Sequence, residues 1–313
     1  MSEPTLVLRP AAPYDFDLTA GYLAYFVGRY AADTFEDGTF RRLLDLGNRL
    51  ALAVVRSSGT TESPALEVEL KGVDLGPMDV AEAGRQVAWM LDVVDDLTSF
   101  YRMAHGYPPL DGLVHGLHGL HVPHTPSVFE ALVLAILGQQ ISTHVARMLR
   151  TLLIQTYGSS VEVDGATYYA FPRPETLADA GVSGLRGIKF SGRKAEYVVS
   201  IARLVASREL ELEDLRNRTT EEVIQTLTAI RGVGMWTAHW LLIRALGHGD
   251  GFPHGDLALQ RSLGLLVNGG VPVDPQDALE YSQRWSPYRS YATTYLFASA
   301  RLGRLEANAA AGA

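Results

Sequence analysis

The 313-residue sequence predicts an α+β protein, mainly α: an N-terminal antiparallel β-sheet domain with helices, followed by two all-helical subdomains. Three observations carry this. Leu66, Val68 and Leu70 alternate with Glu67, Glu69 and Lys71, the period of a half-buried strand. Beyond residue 127 apolar residues recur at helical spacing instead, most densely over 128–137. Arg231-Gly232-Val233-Gly234 then separates two such runs with paired glycines, which permit a tight reversal.

The N-terminal residues 1–103 read as a mixed unit. Leu6 to Leu8 is a short strand, and 20–30 a helix around Tyr22, Tyr25 and Phe26. Arg49 to Arg56 is a second strand, joined to the alternating one by SSGTTESP, and Val80 to Val94 is an amphipathic helix. Residues 104–126 form a loop-rich link holding His105, His115, His118, His121 and His124. Their spacing invites a metal, but Pro108, Pro109 and Pro123 interrupt the helix that would align them, so they read as surface histidines.

Residues 127–250 read as all helix. Ser127 with Glu130 and Thr219 with Glu222 are capping boxes. The apolar helix after Ser127 turns polar at Gly138-Gln139-Gln140-Ile141-Ser142, the pattern of an exposed helix end. Arg41-Arg42 and Arg147 to Arg150 read as solvated faces. In GIKFSGRK, Lys189, Arg193 and Lys194 stand at a helix N-terminus, where cations oppose the dipole unless a phosphate lies between. Residues 251–301 hold a loop of helix breakers ending in Asp256, from which an apolar helix resumes at Leu257, and two further helices; Trp285, Tyr288, Tyr291, Tyr295 and Phe297 there have the spacing of core packing. The tail, 302–313, reads as disordered.

Composition limits the chemistry. A net charge of −8 argues against holding nucleic acid by bulk electrostatics. A glycine hairpin needs none, because its free amides and the positive end of the following helix can face an anion; a plain turn is the alternative reading. No cysteine is present, which excludes a Cys-ligated iron–sulfur cluster. MSEPTLVLRP lacks a basic segment before an apolar core, and no apolar run approaches a membrane span, so a cytoplasmic protein without membrane contact is expected.

LTAIRGVGMWTA followed by FPHGD resembles the helix-hairpin-helix and Gly/Pro-loop-Asp signature of the DNA glycosylase superfamily. Trp236 and Asp256, 20 residues apart, resemble its 3-methyladenine DNA glycosylase II (AlkA-type) branch, as do PYDFDLTAGYLA, SVFEALVLAILGQQIS, GRKAEYVVSIA and RWSPYRSYATTYLF. With that fold the chain divides into 1–103, a helical subdomain of 104–127 with 249–301, and the hairpin-bearing 128–248.

The resemblance implies a monomer acting on double-stranded DNA with alkylated bases. Asp256 would be catalytic, Trp236, Trp240, Tyr22 and Phe297 would wall the base pocket, and Gln140 would wedge into the duplex. Gly232, Gly234, Met235, Thr237, Lys189, Arg193 and Lys194 would meet phosphate, and carbonyls of Thr228, Ile230 and Val233 would hold a sodium or potassium ion. Trp stands at 236 where the lyase members carry a Schiff-base lysine, so monofunctional hydrolysis without a cofactor is expected. On the residues alone, Tyr22 reads as a core aromatic and Asp256 as a helix cap. Excision of deaminated or oxidised purines, or damage binding without catalysis, are the alternatives. His254-Gly255-Asp256 also begins an iron dioxygenase triad, but no histidine follows to complete it.

Overall fold

The computed structural model describes residues 3–303 and Leu305. β1 (Thr5–Leu8) and α1 (Phe16–Leu23) precede β2 (Arg29–Tyr30), β3 (Asp33–Glu36), β4 (Thr39–Asp45), β5 (Leu50–Ser57) and β6 (Leu66–Lys71). The six strands form one antiparallel sheet in the order β1-β6-β5-β4-β3-β2. α2 (Pro77–Met90) covers it, and Phe40, Val55, Val68, Val87 and Met90 meet in a dry core.

The helical part follows as α3 (Thr98–His105), α4 (Pro108–Gly116), α5 (Val128–Gly138) and α6 (Thr143–Tyr157). A hairpin of β7 (Ser160–Val163) and β8 (Ala166–Tyr169) leads to α7 (Pro174–Gly187), α8 (Gly192–Ala206), α9 (Thr220–Ala229) and α10 (Met235–Arg244). α11 (Leu257–Val267), α12 (Pro275–Ser282) and α13 (Arg289–Arg301) complete the described chain. α5 is apolar on nearly every side because it is central: Leu132, Ile136 and Leu137 pack among Val198, Leu227, Ala238 and Leu241. Truncating one such side chain to Ala costs about 2–5 kcal/mol. A separate core joins α3, α4, α11 and α13 around Phe100, Trp285 and Tyr295, and takes in Tyr22 from α1.

Several expectations need correction. The first helix starts at Phe16, where Asp15 accepts the amide of Leu18, and ends at Leu23, so Tyr25 and Phe26 fall in a turn. The stretch read as all helix contains β7 and β8, reversed at Asp164-Gly165 with φ of 51° and 75°, the two-residue hairpin turn. The helix resuming at Leu257 and the two further ones are present as α11, α12, which Asp274 and Pro275 initiate, and α13. Two of the link's histidines, His121 and His124, are buried, while His105, His115 and His118 are exposed. Residues 306–313, most of the expected disordered tail, lie outside the described residues.

The arginines read as solvated faces are partly core. Arg42 on β4 reaches Asp33 at 2.7 Å and Glu130 of α5 at 2.6 Å, and Arg150 of α6 reaches Asp33 at 2.8 Å, all four buried. Glu130 is thereby drawn away from its capping box; Ser127 still accepts its amide. Two cations against two carboxylates tie the sheet to the helices, and removing one member leaves a buried charge uncompensated.

Candidate active site

The hairpin between α9 and α10 turns at Gly232, with φ of 94°. A Cβ there would meet the Tyr197 ring at 2.3 Å, so both conformation and space require glycine. Gly234 occupies the N-cap of α10 and supplies no capping side chain, and Met235 beside it is exposed. The first-turn amides of α10 therefore lack a side-chain acceptor, the arrangement that binds anions.

Asp256 is both the N-cap of α11 and a member of the site. Its Oδ1 accepts the amides of Ala258 at 2.8 Å and Leu259 at 3.1 Å, while Oδ2 accepts Nε1–H of Trp236 at 2.8 Å. The 20-residue separation of the two residues in sequence is thus a direct hydrogen bond. Upstream, the Phe252 amide donates to Nδ1 of His239 at 3.2 Å, which requires that nitrogen to be unprotonated. Burial, with His254 adding to it, pushes His239 down to about 4, so it stays neutral near pH 7 and the contact persists.

Asp256 and Trp236 border a cleft of about 1370 Å³, which Trp240, Phe297, Tyr22, Gln140, Gly234 and Thr237 also line. Trp236 and Trp240 are roughly parallel, with centroids 6.5 Å apart. Tyr22 is buried, and the guanidinium carbons of Arg244 and Arg301 lie 5.1 and 4.3 Å from its ring centre. Protein cations thus lie against its π surface at the cleft wall, where the core reading and the pocket reading of Tyr22 meet. Tyr25 and Phe26, with φ of 57° and 53°, border the cleft in left-handed turn positions that no local sequence signal marks. Arg244 and Arg301 were equally illegible, because what marks them is their contact with Tyr22, 222 and 279 residues away in sequence (244−22 and 301−22).

Gln140 is exposed at the cleft with φ of 56°. Lys189 and Arg193 are exposed. Lys194 departs from its expected contact with phosphate: Nζ donates to the carbonyls of Leu137 at 2.7 Å and Gln139 at 2.6 Å. The negative end of α5 is the partner that offsets a cation at the start of α8. Among the described residues no group of three histidine, aspartate or glutamate side chains is placed to hold a metal ion.

A single hydrogen-bonded carboxylate, an aromatic cleft and an uncapped helix beside a glycine hairpin define a site for an anionic ligand with a flat ring. The chain belongs to the HhH-GPD superfamily of base excision DNA repair proteins, whose family model matches residues 133–282. It is 38% identical over 206 residues to a DNA-3-methyladenine glycosylase of Bacillus subtilis, covering 66% of this chain and 68% of that one. It is 30% identical over 296 residues to a probable bifunctional transcriptional activator/DNA repair enzyme AlkA of Mycobacterium tuberculosis, covering 94% of this chain but only 56% of the relative. The solved 3-methyladenine DNA-glycosylase of Archaeoglobus fulgidus superposes with a TM-score of 0.83 at 28% identity, over 95% of this chain and 98% of that one.

Proposed function

We propose that the chain is a monofunctional DNA glycosylase that extrudes alkylated bases from double-stranded DNA and hydrolyses their N-glycosidic bond, leaving an abasic site. The observation that carries this reading is the position of Asp256, bonded to Trp236 at the edge of the aromatic cleft and two helix starts from the hairpin. Amides of Gly234, Met235 and Thr237 would hold a phosphate beside the extruded nucleotide. Gln140 fills the gap left in the duplex.

As the base departs, positive charge develops on the sugar. Asp256 stabilises it and orients the attacking water, and the Trp236 indole and the first turn of α11 keep the carboxylate aimed. An N-alkylated purine leaves as a neutral base, so no general acid is required. Trp236 cannot form a Schiff base, which supports hydrolysis without strand cleavage. Carbonyls of Thr228, Ile230 and Val233 suit a monovalent cation in kind; Ile230 accepts the Val233 amide and keeps a second lone pair. Such an ion would add positive charge beside the bound phosphate.

Asp256→Asn tests the assignment, because the Asn carbonyl oxygen preserves the α11 cap while the charge, and with it the acceptor for the Trp236 indole, is removed. Single-turnover release of 3-methyladenine or 7-methylguanine should fall about 100- to 1000-fold with an unchanged melting profile. Equal release by variant and parent would remove Asp256 from the mechanism. A second specificity is favoured by one observation: Arg244 and Arg301 place positive charge on the cleft wall, which suits neutral bases with acceptor edges such as deaminated purines. Mass spectrometry of bases released from a lesion panel separates the two.

A further inference from the structure

Two turns meet the cleft from parts of the sequence that are not joined: 138–142 after α5 and 231–234 before α10. Side chains tie them together. Lys194 donates from Nζ to the carbonyls of Leu137 at 2.7 Å and Gln139 at 2.6 Å, at the C-terminal end of α5 where carbonyls lack helical partners. Gln139 in turn donates from Nε2 to the Gly232 carbonyl at 3.0 Å and to Oγ1 of Thr237 at 3.3 Å. The chain of contacts therefore runs from α8 through the end of α5 to the hairpin.

Gln140, next in sequence, holds φ at 56° with its side chain exposed, a conformation that costs a non-glycine residue and persists only when its surroundings impose it. Lys194 also carries a cost. Desolvation lowers its ammonium below the usual lysine range, and no carboxylate offsets the shift. A half-buried lysine whose donors go to neutral carbonyls is poor use of a surface cation unless the turn has to be rigid.

We propose that Lys194 is a positioning residue for base extrusion: with Gln139 it locks the Gln140 turn against the hairpin, so that wedge and phosphate anchor meet the duplex as one rigid body. The proposal rests on the reading of Gln140 as the wedge and of the hairpin as the anchor. Lys194 touches neither the sugar nor the base, so its effect is confined to opening the duplex.

The test compares single-turnover release of an alkylated base from duplex DNA and from a single-stranded oligonucleotide, where no partner strand has to be displaced. Gln140→Ala and Lys194→Met are each expected to slow the duplex reaction roughly 10- to 100-fold. Lys194→Met should leave the single-strand rate within about threefold of the parent. Combining the two substitutions should add little to Gln140→Ala alone, because both act on one step. Lys194→Arg, which keeps donors within reach, should recover most of the duplex rate. Gln139→Ala cuts the tie to the hairpin without disturbing α8, and should give the same split even if Lys194→Met folds poorly. A duplex rate unchanged in Lys194→Met while Gln140→Ala is slow overturns the tether and leaves the wedge standing. Equal slowing on both substrates also overturns it. An unchanged duplex rate in Gln140→Ala removes the wedge reading itself, and the proposal with it.

Discussion

The two ends of α10 give the cleft opposite characters. At its start, Trp236 holds Asp256, a carboxylate whose oxygens both accept hydrogen bonds. Eight residues on, and about 12 Å along the helix, Arg244 lies against Tyr22 with Arg301 nearby. The negative end is built from helix starts and is fully bonded. The positive end is built from guanidinium groups against aromatic rings; Nη1 of Arg244 is buried without a hydrogen-bond partner. On the proposed reading, the contrast puts bond cleavage and base choice on separate charges, so each can be altered alone.

The largest change expected comes from breaking the ion cluster that ties the sheet to α5 and α6, beneath both ends alike. Arg42→Met leaves Asp33 and Glu130 with only Arg150 between them, and should lower unfolding free energy by about 3–5 kcal/mol. Urea denaturation measures it, and release of every lesion should drop in proportion; loss of one lesion only would mean that the ion cluster is not a shared support. Trp236→Phe acts at the negative end alone, keeping a ring and deleting the donor to Asp256. Base release should slow about tenfold for cationic and neutral lesions alike, since a hydrogen bond to a charged group is lost. An unchanged rate would make the indole a wall and no more. Arg301→Leu acts at the positive end, and should raise the ratio of cationic to neutral base release by roughly three- to tenfold. A ratio that does not move would show the guanidinium to be masked from the base.

What the sequence revealed and what it concealed divide by distance. The hairpin and the Asp256 loop were legible because glycine and proline act locally, β6 because alternation does, and β5 because its short apolar run leads into SSGTTESP. β3 and β4 were missed because their buried positions include Asp33 and Arg42, whose partners Glu130 and Arg150 lie far along the chain. β7 and β8 were missed although Asp164-Gly165 is a strong turn pair, since helical runs on both sides set the expectation. At the cleft the expected Asp256, Trp236, Trp240, Phe297 and Gln140 come together. Tyr25 and Phe26 follow α1 through a reversal of φ that nothing in FVG announces.

α8 touches both turns that meet the cleft without lining it itself. Its Lys194 caps one, and its Tyr197 packs under Gly232 of the other. Those two side chains are three residues apart, which on an α-helix is a rise of about 4.5 Å. The helix therefore works as a ruler: lengthening either loop can change its outline, but the gap between the two points of support stays metered by a single helical turn.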